Sequence, residues 1–327
     1  MPKVNAAIFI LTQNNEVRRT YLKTCLYFLF RHFNATHKYP VVIHHEGDYD
    51  ANAQREIIMS VRQSCRHLVT FVALEPGDFQ VPEFIDTDKM EKCIAVQPVP
   101  YWRSAKYRLM CRWWLTHFLK YAKGYDYVMR VDDDSIIEEP IEQDLFAWME
   151  SQNITYSSNL VHVDCGICNF GMKELLESLF PEKKPTIAGM FQKSTLPVNN
   201  AQFFKFRSLL SIMYGDTYKL GQELDIWMPI MYYNNFFITK TSFWLREDVQ
   251  KTIQAVDEHG GIFYYRWGDA PLQSLIAMLY CQPHEIKRAI FKYSKRLQRE
   301  VFVDDNGTFH SYMPATYDKS SSITDEE

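Results

Sequence analysis

Apolar positions in the first 131 residues fall into short dense runs, separated by longer stretches in which they recur every three or four places. The runs Ala6–Leu11, Pro40–His44, Leu68–Leu74 and Asp126–Val131 are rich in β-branched and aromatic residues and predict strands. The stretches Val17–Phe33, Gln54–Cys65 and Lys106–Tyr121 carry helical spacing. Strand and helix in alternation predict an α/β fold. Past position 150 the order loosens, because Gly166, Gly171, Pro181, Pro185 and Pro197 interrupt short segments. A strand at Phe236–Phe243 and helices at Glu247–Glu258 and Ala270–Tyr280 still stand out. The expected architecture is a mixed sheet flanked by helices in one domain over 1–318. Its first half, 1–150, is Rossmann-like, its second is 151–318, and 319–327 form a polar tail.

Composition narrows what such a fold can do. With 327 residues, 46% of them apolar, the chain can bury a substantial core. A net charge of −4 supplies no positive field to recruit nucleic acid or anionic membrane. No apolar run is long enough to span a bilayer, so no transmembrane segment is expected. Seven cysteines, an odd number scattered along a large chain, suit a reducing compartment. The one close pair, Cys165 and Cys168 with His162 upstream, has half of a zinc spacing, and no second pair completes it. Asn34, Asn153 and Asn306 begin glycosylation sequons, which matter only in a secretory lumen.

Three constellations carry candidate chemistry. The first is YDYVMRVDDD at 125–134, where carboxylates crowd the end of a strand. Ligands of open α/β sheets bind beyond the carboxyl ends of the strands. Asp132 and Asp134 can direct hard oxygen ligands at one cation bridging a diphosphate. A solvated acidic turn is the plain alternative. A calcium loop is not, because Ile136 and Ile137 follow where further oxygen ligands are needed. The second constellation is GGIFYYRWGDAPLQS at 260–274, in which Asp269 either caps the helix that Pro271 begins or stands beside an aromatic wall to grip sugar hydroxyls. The third is AKYRLMCRWW at 105–114, whose Arg108 and Arg112 share a helix face across which a diphosphate could lie, or simply cover an apolar surface.

Together and in this order, the three tracts resemble the fungal α-1,2-mannosyltransferases, glycosyltransferase family fifteen. Tyr107, Arg108, Met110, Cys111 and Arg112 match that family's Tyr-Arg-x-Met-Cys-Arg helix, and Arg130 to Asp134 are similar to its Arg-Val-Glu-Pro-Asp. Gly260 to Pro271 are similar to its Gly-Gly-Phe-Phe-Tyr-Glu-Arg-Trp-Gly-Asp-Ala-Pro tract. The resemblance implies a GT-A fold, Mn²⁺ as cofactor, GDP-mannose as donor, a glycan or glycoprotein acceptor, and retention of anomeric configuration. It makes 1–150 the nucleotide-sugar and metal half and 151–318 the acceptor-side half. Asp132 and Asp134 become the metal ligands; Tyr107, Arg108, Arg112, Asp132, Gln13, Arg266 and Trp267 the donor-binding set; Asp269 a carboxylate of the active site.

The departures are specific. Where the family has its proposed nucleophilic glutamate, this chain has Phe237, so Glu223, Asp225 and Asp269 are the candidate catalytic carboxylates, unless the leaving diphosphate assists same-face attack. A family histidine associated with the metal falls near Lys295 and Arg296, cations that could neutralise a diphosphate directly. Gln13 replaces an arginine after the first strand, and Tyr265 a glutamate. Alternative readings are a transferase using a UDP-sugar and an inactive glycan-binding derivative. The free-looking cysteines point to the cytoplasm, with the Golgi lumen as alternative.

Overall fold

The computed structural model describes residues 3–98, 101–197, 201–215, 223–295, 300–303 and 309–312; Arg296, Asn306 and the tail 319–327 lie outside them. Ten of its strands concern the site: β1 (Ala6–Leu11), β2 (Val41–His45), β3 (Val69–Ala73), β4 (Tyr127–Val131), β5 (Ser135–Ile137), β6 (Tyr156–Val163), β7 (Phe191–Pro197), β8 (Glu223–Lys240), β9 (Ile286–Arg288) and β10 (Tyr293–Lys295). Eight of these form one mixed sheet in the order β3-β2-β1-β4-β8-β6-β9, with β7 also paired to β8. β5 and β10 make a separate antiparallel pair.

The apolar runs become strands because the sheet is covered on both faces. β1 to β4 pair in parallel around β1, with Ile8 opposite Val41 on one side and Met129 on the other. Parallel strands buried on two faces need near-continuous apolar sequence, as AAIFIL supplies. Alternate residues feed opposite cores: Phe9, Val128 and Phe237 one, Ile8, Met129 and Phe236 the other. The arrangement is α/β and GT-A-like, a central mixed sheet flanked by helices. No helix among the described residues is long and apolar enough to cross a membrane.

Several expected bounds move for identifiable reasons. The long helix expected over Lys106–Tyr121 is an α-helix, Ala105–Arg112, running into a π turn, Trp113–His117. The wider turn lets both Trp113 and Trp114 enter the core, their rings edge-on at 4.7 Å. The strand expected at Phe236–Phe243 is the last part of the 18-residue β8. It stops at Lys240, and the chain turns into a short helix, Thr241–Trp244. In the glycine pair, Gly260 closes the Glu247–His259 helix at φ +73. Gly261 has a different task, since any Cβ there would collide with the Trp267 ring.

Candidate active site

β4 ends at the carboxyl edge of the parallel strands and delivers Arg130 and then the acidic turn. Backbone bonds lock that turn, from Asp132 N to Asn235 O (3.0 Å) and from Ser135 N to Asp132 O (3.0 Å). The chain continues into β5, whose Ser135 lies opposite Lys295 of β10. This register brings a lysine 163 positions away onto the carboxylates: its Nζ is 2.9 Å from Asp132 Oδ2 and 3.5 Å from Asp134 Oδ1. Arg130 Nε donates to the other oxygen of Asp132 at 2.7 Å, its Nη1 donates to Asp269 Oδ2, and its guanidinium lies 4.3 Å from the Trp114 ring centre.

Asp133 turns toward the opposite wall, where Thr12 Oγ1 donates to it at 2.7 Å and Arg18 Nη1 at 3.0 Å. Arg18 Nη1 also lies 3.8 Å from Asp134 Oδ2, so Asp134 shares one cation with each of its neighbours, Lys295 with Asp132 and Arg18 with Asp133. Burial pushes the Asp133 carboxyl up to about 6, since Arg18 and Thr12 only partly offset it. Burial also works against the Asp132 carboxylate, but Arg130 and Lys295 outweigh it and hold its pKa below the ordinary value. Lys295 shows the reciprocal effect: burial opposes its charge, Asp132 and Asp134 outweigh burial, and its pKa rises.

Asp269 opens the helix Asp269–Tyr280, but Gly268 is the N-cap, contrary to the capping alternative. Its carboxylate is drawn off the helix by Arg130 and by Asn234 Nδ2 at 2.8 Å. Asn234 also donates to Gln273 Oε1 (3.1 Å), whose Nε2 donates to Trp114 O (2.6 Å), so the acid is fixed by a buried polar network.

Two adjoining cavities meet over these groups, of about 140 and 530 Å³, the second within the range of small-ligand clefts and the first a smaller recess beside it. Gln13, Arg18, Glu46 and Phe79 line the first. His162, Asp164, Tyr233, Asn235, Arg266 and Asp269 line the second. Tyr107, Met110, Arg130, Asp132 and Lys295 border both. Of the residues expected from sequence, Gln13, Tyr107, Asp132, Asp134, Arg266 and Asp269 therefore come together.

The others do not. Arg108 is buried away from the cleft, its Nε donating to Phe263 O at 2.9 Å and its Nη1 to Ser104 O at 3.2 Å. Arg112 forms a two-pronged pair with Asp257, both bonds at 2.8 Å. This helix face packs against Asp257 of the Glu247–His259 helix and Phe263 beyond it, and neither arginine lines either of the two cavities. Trp267 is a core residue, stacked 4.6 Å from His259 and donating from Nε1 to Phe170 O. Glu223 and Asp225 sit at the exposed start of β8, where Asp225 pairs with Lys193 at 2.7 Å. Nine steps of extended strand, roughly 30 Å, separate Asp225 from Asn234 beside Asp269, although Met228 of the same strand already borders the second cavity. The residues the sequence reading left without a site role are Arg18, Asn234, Asn235 and Glu46; the helical and strand patterns around them held no chemical signal.

Mn²⁺ can be tested against this donor set. Both oxygens of Asp132 are engaged by cations, both oxygens of Asp133 by Arg18 and Thr12, and an ammonium lies against Asp132 and Asp134. No group of three His, Cys, Asp or Glu side chains suited to a metal occurs among the described residues. A divalent ion wants several anionic or neutral oxygen and nitrogen ligands, not a cation in its first shell. The residues as placed do not fit Mn²⁺. The Cys165–Cys168 pair likewise gathers no zinc set; all seven cysteines are free thiols.

A family model described as glycolipid 2-alpha-mannosyltransferase matches residues 1–292. The O-glycoside alpha-1,2-mannosyltransferase omh1 of Schizosaccharomyces pombe is 27% identical over 87% of this chain, which spans 67% of that relative. The glycolipid 2-alpha-mannosyltransferase of Saccharomyces cerevisiae is 24% identical over 87% of this chain, which spans 59% of it. Among solved structures, core-mannan synthase A of Aspergillus fumigatus in its Mn/GDP form superposes with a TM-score of 0.71 at 19% identity, covering 90% of this chain and 75% of that one. At that identity the superposition shows the shared fold.

Proposed function

The chain belongs to the glycolipid 2-alpha-mannosyltransferase family, and from that premise we propose that it transfers mannose from GDP-mannose onto a hydroxyl of a glycan or glycoprotein with retention of configuration. The observation that carries the reading is the pair of cavities joined over Arg130, Asp132 and Lys295 at the carboxyl edge of the sheet. The cavity lined by Gln13, Arg18 and Phe79 suits the nucleotide, the other suits the sugar and acceptor, and a diphosphate spanning them passes the cations. Arg18 and Arg130 support its charge, and Asp269 orients a reacting hydroxyl at the floor of the second cavity.

Retention through a covalent intermediate needs a nucleophilic carboxylate; Asp269 lines the cleft but has Oδ2 bound by both Arg130 and Asn234, and the other position is the one where the family has its glutamate. Phe237 fills that place, fully buried and stacked on Tyr156 with ring centres 5.6 Å apart. We therefore favour same-face transfer. The bond from the anomeric carbon to the β-phosphate oxygen breaks, its electron pair leaving with GDP. The acceptor oxygen bonds the carbon on that face and gives its proton to the departing phosphate oxygen. Mn²⁺, named for the Aspergillus neighbour, enters no step, because Lys295 lies against the carboxylates that would hold it. The free thiols suit a reducing compartment such as the cytoplasm.

A thermal-shift series with GDP-mannose and UDP-sugars, followed by transfer to mannosides, tests the donor. At a hundred times its dissociation constant, GDP-mannose should stabilise the chain by about 2.7 kcal/mol. Stabilisation by a UDP-sugar alone would replace the donor. Phe237 also favours a second reading, a glycan-binding protein without turnover, which any measurable transfer excludes. Since Glu223 and Asp225 are exposed and line neither cavity, Glu223→Gln and Asp225→Asn should each leave turnover within about twofold of the parent, as surface substitutions away from the chemistry do; a loss of orders of magnitude in either would restore it as a catalytic candidate.

A further inference from the structure

We propose that Lys295 is the resident cation of the donor site: it takes the place of a divalent metal between Asp132 and Asp134 and binds the donor diphosphate directly, so that nucleotide binding needs no metal. The inference rests on the nucleotide-sugar reading of the cleft and commits it further.

Position is the first argument. Lys295 is no loose surface lysine. It ends β10, which is registered on β5 through Tyr293 with Ile137, Ser294 with Ile136, and Lys295 itself with Ser135. The Tyr293 and Ser135 hydroxyls are 2.7 Å apart and pin the same pair. Its Nζ is thereby aimed at Asp132 Oδ2 (2.9 Å) and Asp134 Oδ1 (3.5 Å), with the side chain only 28% exposed.

Ligand chemistry is the second. Asp132 has one oxygen on Arg130 and the other on Lys295, and Asp133 is held by Thr12 and Arg18. A divalent ion placed between Asp132 and Asp134 would meet the ammonium at close range and two carboxylates already neutralised. Repulsion of that kind is strong where burial lowers the dielectric. The same ammonium suits a diphosphate. It carries three N–H donors, of which the two carboxylates take at most two, and it borders both cavities, so a phosphate crossing between them comes within reach.

The test uses the full chain, with GDP and UDP binding measured by calorimetry in EDTA and in excess Mn²⁺, and with bound Mn²⁺ counted by electron paramagnetic resonance. The wild type should bind GDP equally well in both media and should retain no Mn²⁺, with or without GDP. Lys295→Ala should weaken GDP binding in EDTA by about tenfold or more, the worth of a charged hydrogen bond, and should gain both a countable Mn²⁺ and a partial rescue by it. Lys295→Met serves if the alanine variant does not fold. Metal-dependent GDP binding by the wild type, one Mn²⁺ held in its GDP complex, or unchanged GDP affinity in the variant would each overturn the inference while leaving the donor reading standing. Failure to bind either nucleotide under any condition overturns both.

Discussion

Replacing Arg130 with methionine is expected to lower stability by about 3–5 kcal/mol, the cost of breaking a buried ion pair from one side, and to reduce transfer by more than about a hundredfold. The side chain is 3% exposed and joins two acids that lie 137 positions apart in sequence, Asp132 at 2.7 Å and Asp269 by its other arm. Methionine keeps much of the volume against Trp114, so packing is the smaller loss. What remains is a buried Asp269 with Asn234 and Cys111 beside it and an Asp132 whose carboxylate keeps Lys295. Both carboxylates would then relax away from the positions that place diphosphate and acceptor. Urea denaturation followed by circular dichroism reads the first effect, and a transfer assay under folding conditions the second. A variant within about 1 kcal/mol of the parent and fully active would show that the Asp132–Arg130–Asp269 bridge has neither role.

Phe237→Ala separates packing from chemistry. A fully buried phenylalanine truncated to alanine loses about 3–5 kcal/mol through lost transfer energy and the cavity left behind. Here the ring also loses its stack on Tyr156 at 15° and its edge contact with Trp114 at 6.0 Å. If the ring serves the core alone, turnover per folded molecule should stay within about tenfold of the parent, because no charged group of the cleft is replaced and Trp114, which borders the first cavity, loses only an edge contact. Denaturation curves and a transfer assay at low temperature give the two numbers. A variant that keeps its stability would deny the ring its place in the core. One that folds yet loses turnover by orders of magnitude would return this position to the chemistry.

How much of this was legible in the sequence depended on how local the cause was. β1 has the bounds its apolar run predicts, and β2 to β4 differ by a residue at their ends, because continuous burial leaves an apolar signature. β6 was missed, since YSSNLVHV looks polar. Yet Ser157, Ser158 and Asn159 are buried, with Asn159 Nδ2 satisfied at 3.0 Å by both Ala289 O and Phe291 O, partners some 130 positions away. Most of β8 was missed as well, its residues before Phe236 shared among β6, β7 and the cleft in a mixture no single period describes.

The candidate site divides in the same way. The sequence alone determined the strand that ends in three acids, the Arg-Trp-Gly-Asp tract, their order and hence the family, because these are contiguous patterns whose spacing reports local geometry. Only the tertiary structure decided which charges face the acids. Strand register brought Lys295 onto Asp132 and Asp134, the π turn moved Trp113 and Trp114 inward, and helix packing took Arg108, Arg112 and Trp267 out of the cleft. The sign and strength of an electrostatic site depend on distances between side chains remote in sequence, and those distances exist only once the chain has packed.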